Sequence, residues 1–373
     1  MNKFLDIANP GLKGLTPYQP GKPIEELERE YGVTNIIKLA SNENPLGPSP
    51  KAVEAIKQSL DELARYPDGN GFLLKQKLSA KFNVKPAQVT LGNGSNDILE
   101  FLARAFVTEH NEVIFSQHAF AVYPLVTQAI NAKAVVTPAL NWGHDLGAML
   151  NAVTGNTRLI FIANPNNPTG TWVDADALKS FISRVPSHVI VAVDEAYYEY
   201  ADDPRINATG YASAADWLDE FPNLVVTRTF SKAYGLAALR AGYSLSHPDV
   251  ADLLNRVRQP FNVNQLALEA AVAALDDADH LERGIQLNAD GMHLLQASFD
   301  EMGLTYIPSV GNFICVNVGN NASKVYDALL HEGVIVRPVA NYEMPEYLRV
   351  TIGLPEENQR FVAALKKVLA NLD

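Results

Sequence analysis

The sequence predicts an α/β protein, with a large unit on a mostly parallel central sheet and a smaller α+β unit after it. Three observations carry this. Short runs rich in Val, Ile and Leu recur from about residue 89, most of them separated by stretches with helical periodicity. Strands that alternate with helices are buried on both faces and pair in parallel, so they read as continuous apolar runs. After about residue 258 the texture changes to a long helix followed by short strands mixed with helices. With 373 residues, 47% of them hydrophobic, the chain can build cores for one large or two to three smaller domains.

The elements follow in order. Residues 1–45 are rich in Pro, Gly and Asn and read as an arm that also contributes to the smaller unit. "PKAVEAIKQSL" and "GFLLKQKLSAKF" are helical, "QVTLGNG" is a strand entering a turn, and "SNDILEFLARAFV" is a helix. "EVIFS", "AVVTPA", "RLIFIANP" and "VIVAVDEAY" are short apolar strands, with "DADALKSFISRV" a helix between the last two. "NLVVTRTF" has the β-branched run of another buried strand and completes a large unit placed at 46–258. Residues 259–373 supply an interdomain helix and the small unit. There a long helix at about 280–302 precedes the strand "NFICVNV", the helix "ASKVYDALLHEG", strands near "VIVRPV" and "YLRVTIG", and a last helix.

Composition excludes several functions. A net charge of −12 with no run of Lys or Arg argues against a nucleic-acid surface, which needs clustered positive charge. The single cysteine, Cys315, lies in an apolar run and reads as a packed strand residue, so no intrachain disulfide forms. The N-terminal stretch lacks the apolar core of a signal peptide, and no apolar run is long enough to span a bilayer. A cytoplasmic protein is expected. The eight histidines never fall at H-E-x-x-H or Cys/His spacing, so no metal site is expected. Neither a G-x-S-x-G elbow nor a Walker A sequence is present.

The informative polar residues sit at strand ends, where open α/β sheets place their chemistry. In "TRTFSKAYGLAALR", Lys232 lies just past a strand among small and apolar neighbours, with Arg240 eight residues on. Gly94, Ser95 and Asn96 of "GNGSN" lead into a helix, whose free N–H groups and dipole suit a phosphate. "RLIFIANPNNPTG" carries Asn167 into a polar turn, and "VIVAVDEAYYEY" ends a strand on Asp194 with Tyr197 three residues later. Singly, each has an ordinary explanation as a turn, a cap or a snorkelling lysine. Together they surround one site at neighbouring strand ends.

With "YQPGKPIEEL", "LASNENPLGPSP", "RYPDGNG", "NPNNPTG", "VDEAY", "TFSKAYGLAALR" and "LRVTIG" in this order, the sequence resembles the fold-type I pyridoxal-phosphate (PLP) aminotransferases, and among them the histidinol-phosphate branch. The resemblance runs along nearly the whole chain. It implies that Lys232 holds PLP as a Schiff base and moves the proton, while Asp194 keeps the pyridine nitrogen protonated. Asn167 and Tyr197 would hydrogen-bond the phenolic oxygen. Gly94, Ser95, Asn96, Thr229, Ser231 and Arg240 would hold the phosphate, and Phe120 would stack on the ring where relatives often have tyrosine. Tyr66 would reach the PLP of the other subunit of a homodimer. Arg349 and Arg337 would bind substrate anions, and Tyr18 and Asn44 would close the pocket. The substrates implied are histidinol phosphate and glutamate or 2-oxoglutarate, in histidine biosynthesis. An aromatic aminotransferase, a phosphothreonine decarboxylase and a noncatalytic PLP- or nucleotide-binding protein are the alternatives.

Overall fold

The computed structural model of the chain describes residues 3–18, 21–206 and 208–372. After the helix Ile24–Tyr31, strand β1 (Ile37–Lys38) starts the part of the N-terminal segment that joins the small unit. The large unit follows with β2 (Val89–Gly92), β3 (Glu112–Ser116) and β4 (Lys133–Thr137). The run expected as one strand around "AVVTPA" breaks after Thr137 into a hairpin of β5 (Ala139–Leu140) and β6 (Gly143–His144). Then come β7 (Thr157–Ala163), β8 (Ile190–Asp194), β9 (Leu224–Thr229) and β10 (Gly242–Ser246).

Seven of these strands form one sheet in the order β2-β10-β9-β8-β7-β3-β4. Its members from β9 to β4 pair in parallel, while β10 runs antiparallel to both β2 and β9. Strands β3, β8 and β9 are buried along their whole length. Their side chains alternate between two cores, as a period of two requires. Ile160, Ile162, Val191, Val193 and Val226 enter one core. Leu159, Phe161, Ile190, Ala192 and Val225 enter the other. The helix Gln265–Leu275 packs into the first of these cores, with Ala267, Ala270 and Ala271 fully buried.

The small unit contains β11 (Tyr306–Ile307), β12 (Phe313–Asn317), β13 (Val334–Ile335), β14 (Arg337–Pro338) and β15 (Tyr347–Thr351). Strands β11, β12, β15 and β14 make an antiparallel sheet in that order, and β13 pairs in parallel with β1. The 24-residue helix Ala278–Glu301 and the last helix, Pro355–Leu372, cover it with Met292, Leu295, Phe299, Phe361 and Leu365.

A buried ion pair stiffens the strand ends that carry the polar residues. Arg228 and Glu195 are 1% and 0% exposed. Arg228 donates from Nη2 and Nε to Glu195 Oε2 at 2.7 and 3.0 Å. Ser213 Oγ and Ala214 N also donate to this carboxylate, and the guanidinium stacks on Tyr198 at 3.6 Å. Because neighbours alternate along a strand, Glu195 and Arg228 lie on the face opposite Asp194, Thr227 and Thr229. Removing one partner strands a charge in the interior, so Arg228→Ala should cost about 3–5 kcal/mol. Urea unfolding measures this, and adding Glu195→Gln should recover part of the loss by removing the orphaned charge.

Candidate active site

The carboxyl ends of β7, β8 and β9, the start of the helix Ser95–Phe106 and the edge of the small unit enclose a cavity of about 360 Å³. Its walls include Tyr18, Ser95, Asn96, Phe120, Asn167, Asp194, Tyr197, Thr229, Ser231, Lys232, Arg240, Arg337 and Arg349. Four of these are cationic, and Asp194 is the one carboxylate among the described lining residues. In a chain of net charge −12 this is a local positive well, and it selects anions.

Lys232 opens onto the cavity but is ringed by protein. Burial, reinforced by the charges of Arg349 and Arg240, lowers its amine from an ordinary 10.5 to about 7. Its Nζ donates to the carbonyl of Ser41 at 3.0 Å. Asp194 is 5% exposed and accepts from two hydroxyls, Tyr123 on Oδ2 and Thr227 on Oδ1, each at 2.9 Å. Burial raises its pKa against these bonds, and among the described residues no cation pairs with it. Tyr197 accepts at its OH from Asn42 Nδ2 at 2.9 Å and from Asn167 Nδ2 at 3.2 Å. Its phenol is pushed up to about 12, mainly by burial.

An anion cradle lies at the opposite wall. Gly94 caps the helix Ser95–Phe106 at φ +81°, and a Cβ there would meet Arg240 Nη2 at 2.4 Å. That left-handed conformation and the close approach both need glycine. Gly242 lets β10 pass against the helix start, since a Cβ would sit 2.3 Å from Ser95 N. Arg240, itself at φ +58°, donates from Nη1 to Ser231 Oγ at 3.2 Å, and Ser231 N donates to Thr229 Oγ1 at 3.0 Å. Phe120 lines the cavity edge-on to Tyr123, with ring centroids 5.8 Å apart.

The small unit adds Arg337 and Arg349, which are cross-strand partners on β14 and β15 and both buried. Arg349 donates from Nη1 to Asn167 Oδ1 at 2.6 Å and from Nη2 to Ala40 O at 2.9 Å, while its buried Nε has no partner. Tyr18 lies 5.8 Å from the Arg337 guanidinium, ring centre to carbon.

Two expected residues stand elsewhere. Asn44 does not close the pocket. It is buried and does not line the cavity, with Nδ2 donating to Ala233 O at 2.8 Å and Oδ1 accepting from Leu46 N at 3.0 Å. Tyr66 is 82% exposed and stacks on Phe261 at 4.7 Å, away from this chain's cavity. Sequence reasoning passed over Ser41, Asn42 and Tyr342, which do line it. The motif "LASNENPLGPSP" contains the first two, and the paired asparagines there were the available signal.

The lowered lysine has a direct consequence. As pH rises through about 7, Lys232 should pass from charged to neutral. The Lys232 amine should therefore react with fluorodinitrobenzene with a midpoint near pH 7. That fast phase should be missing from Lys232→Ala, as peptide mapping of the labelled protein would show.

Comparison with known proteins agrees with this geometry. The family model for aminotransferase class I and II matches residues 34–365. The chain is 60% identical to histidinol-phosphate aminotransferase 1 of Idiomarina loihiensis, covering 98% of both chains. It is 59% identical to histidinol-phosphate aminotransferase 2 of Pseudomonas aeruginosa, covering 100% of both. The crystal structure of histidinol-phosphate aminotransferase from Sinorhizobium meliloti in complex with pyridoxal-5'-phosphate superposes with a TM-score of 0.88 at 30% identity, over 98% of each chain. An anion cradle, a lowered lysine and a buried carboxylate at the carboxyl edge of a mostly parallel sheet thus come with this family's sequence along the chain, which belongs to the class I and II aminotransferases.

Proposed function

We propose that the chain transfers an amino group between L-histidinol phosphate and 2-oxoglutarate with PLP as cofactor. In the biosynthetic direction the substrates are 3-(imidazol-4-yl)-2-oxopropyl phosphate and L-glutamate, a step of histidine biosynthesis. The observation that carries the substrate class is the cross-strand pair Arg337 and Arg349, both lining the cavity. Like charges directly opposite on a sheet repel, and a shared anion offsets that cost. Glutamate brings two carboxylates, whereas histidinol phosphate brings a phosphate and no carboxylate. A pocket serving both needs two cationic forks that either anion can use. The close identity to histidinol-phosphate aminotransferases supports the same assignment.

The residues present fit the cofactor. Gly94, where a side chain would collide with Arg240, lets that guanidinium close on the free N–H groups of the helix start, a combination that suits a phosphate. Asp194, buried with the hydroxyls of Tyr123 and Thr227 and with no cation paired to it among the described residues, suits a protonated ring nitrogen. When bound, PLP supplies an electron sink that makes the proton on the substrate's amine-bearing carbon removable. Ser95, Asn96, Thr229, Ser231 and Arg240 would hold its phosphate, with Asp194 at the ring nitrogen, Asn167 and Tyr197 at the phenolic oxygen, and Phe120 over the ring. Lys232 would bind it covalently. With a pKa of about 7, Nζ takes up and returns a proton at physiological pH without a large free-energy gap in either direction.

The reading includes a cytoplasmic homodimer in which Tyr66 serves the partner's phosphate site. Its support is the exposed apolar surface formed by Leu63, Tyr66, Phe72, Leu73 and Phe261. Among the described residues no helix is long and apolar enough to cross a membrane.

Lys232→Ala should keep the fold and lose transamination, as circular dichroism and a glutamate-dependent assay would show. The decisive experiment for substrate compares kcat/KM for histidinol phosphate and phenylalanine. Arg337→Ala should weaken histidinol phosphate by about 1.5–3 kcal/mol in transition-state binding and phenylalanine less, since its single carboxylate stays on Arg349. A parent enzyme that prefers phenylalanine, or equal losses on both, replaces this reading with an aromatic aminotransferase. Subunits of Tyr66→Phe and Lys232→Ala mixed in equal numbers test the dimer. Unimpaired sites should appear in the heterodimers if Tyr66 acts across the interface, and none if it acts within its own chain.

A further inference from the structure

The phenol of Tyr197 has two lone-pair directions and one proton. Two amide donors, Asn42 Nδ2 and Asn167 Nδ2, converge on its oxygen. With both lone-pair positions used, the O–H proton is left to point into the cavity. Which end of each amide faces Tyr197 is set by what holds the other end. Asn167 Oδ1 accepts from Arg349. Asn42 is held through Thr351: Asn42 N donates to Thr351 Oγ1 at 2.9 Å, so the threonine proton is free to go to Asn42 Oδ1, 3.1 Å away. The hydroxyl can donate only once, and its acceptor must be the amide oxygen. Asn42 therefore turns Nδ2 to Tyr197.

Both residues are sealed from water, Asn42 at 1% and Thr351 at 3% exposed. Asn42 sits at φ +55°, a conformation asparagine tolerates better than most residues, and Asn312 Nδ2 donates to its carbonyl at 3.0 Å. The loop is thus pinned from two sides. Arg349 and Thr351 are two residues apart on β15, on the same face of the strand, and each fixes one of the two amides on Tyr197.

We infer that Thr351 and Asn42 are positioning residues that act through Tyr197: the relay from the Thr351 hydroxyl through the Asn42 amide aims the Tyr197 proton at the bound cofactor. The inference rests on Tyr197 facing the phenolic oxygen of PLP. The donated proton stabilises negative charge on that oxygen, which favours the deprotonated form of the Lys232-linked cofactor. Losing it raises the pH at which the cofactor's visible absorbance titrates.

The test is an absorbance titration of the PLP-bound protein, alongside melting temperature and PLP retention. Thr351→Val keeps the shape and removes the relay, and its midpoint should rise by about half a pH unit or more, less than in Tyr197→Phe. Thr351→Ser keeps the hydroxyl and should titrate as the parent does. Asn42→Asp turns the donor into an acceptor that draws the Tyr197 proton away, so it should approach Tyr197→Phe. In the Tyr197→Phe background Thr351→Val should add no further shift. A Thr351→Val protein with the parent midpoint, or one whose shift adds to that of Tyr197→Phe, overturns the inference while leaving the reading of Tyr197 in place. If Tyr197→Phe itself leaves the midpoint unmoved, both fall.

Discussion

Lys232 and Asp194 are taken out of water at the same sheet edge without neutralising one another, and the rest of the structure serves that constraint. An ion pair between them would keep the lysine protonated and useless as a base or nucleophile. Instead, Lys232 Nζ is held by a carbonyl, that of Ser41, and Asp194 by the hydroxyls of Tyr123 and Thr227. Neither partner carries a charge. Burial, reinforced by the charges of Arg349 and Arg240, lowers the amine, and burial raises the carboxyl against its hydrogen bonds. Such an arrangement is stable only on a rigid frame, because small movements would let the two groups meet each other or water. The fully buried strands β8 and β9 supply that frame, tied at their ends by the pair Arg228 and Glu195.

Charge is handled differently on the two faces of these strand ends. On the hidden face Glu195 accepts two bonds from Arg228 and others from Ser213 and Ala214, so the charge of Arg228 is met by a carboxylate within the protein. On the cavity face Arg349 has, among the described residues, only carbonyl oxygens as hydrogen-bond partners and none at its Nε. A guanidinium satisfied by neutral acceptors keeps most of its attraction for an anion, whereas one paired with a carboxylate does not. The positive well of the cavity arises from this local choice of partners, and the acidity of the whole chain does not oppose it at short range.

Much of this was legible in the sequence because polar residues at the ends of apolar strands have few structural reasons to be there. Asn167, Asp194, Lys232 and Arg240 were found that way, and the cavity contains all four. What escaped was whatever resembles ordinary strand or loop sequence. β10 reads "GYSLS", too short and too rich in serine to announce a central strand, and its antiparallel course comes from the sheet. Arg228 stands in the sequence between Thr227 and Thr229 with nothing local to mark its role. Only the alternation of faces reveals that it points into the opposite core. Thr351 passed as a β-branched strand residue, since nothing local marks a hydroxyl that orients a distant amide. Asn42 and Asn44 differ in backbone conformation and partners, which no composition rule separates.

The contrast between those two asparagines explains why the segment from Leu39 to Asn44 matters more than its irregular backbone suggests. On one side it is stitched to the small unit: Leu39 N donates to Ile335 O, Thr351 N donates to Leu39 O, and Asn312 holds the carbonyl of Asn42. On the other it is anchored in the large unit, where Asn44 donates to Ala233 O, immediately beside Lys232. Between these anchorages it presents the Ser41 carbonyl to Lys232 and the Asn42 amide to Tyr197. Asn44 is therefore the far support of a bridge, hydrogen-bonded to Ala233 and Leu46 and not lining the cavity. Lys232 and Tyr197 thus meet consecutive residues of one loop that both units hold. The segment read from sequence as an arm thereby contacts Arg349 through the Ala40 carbonyl, Lys232 through Ser41 and Tyr197 through Asn42.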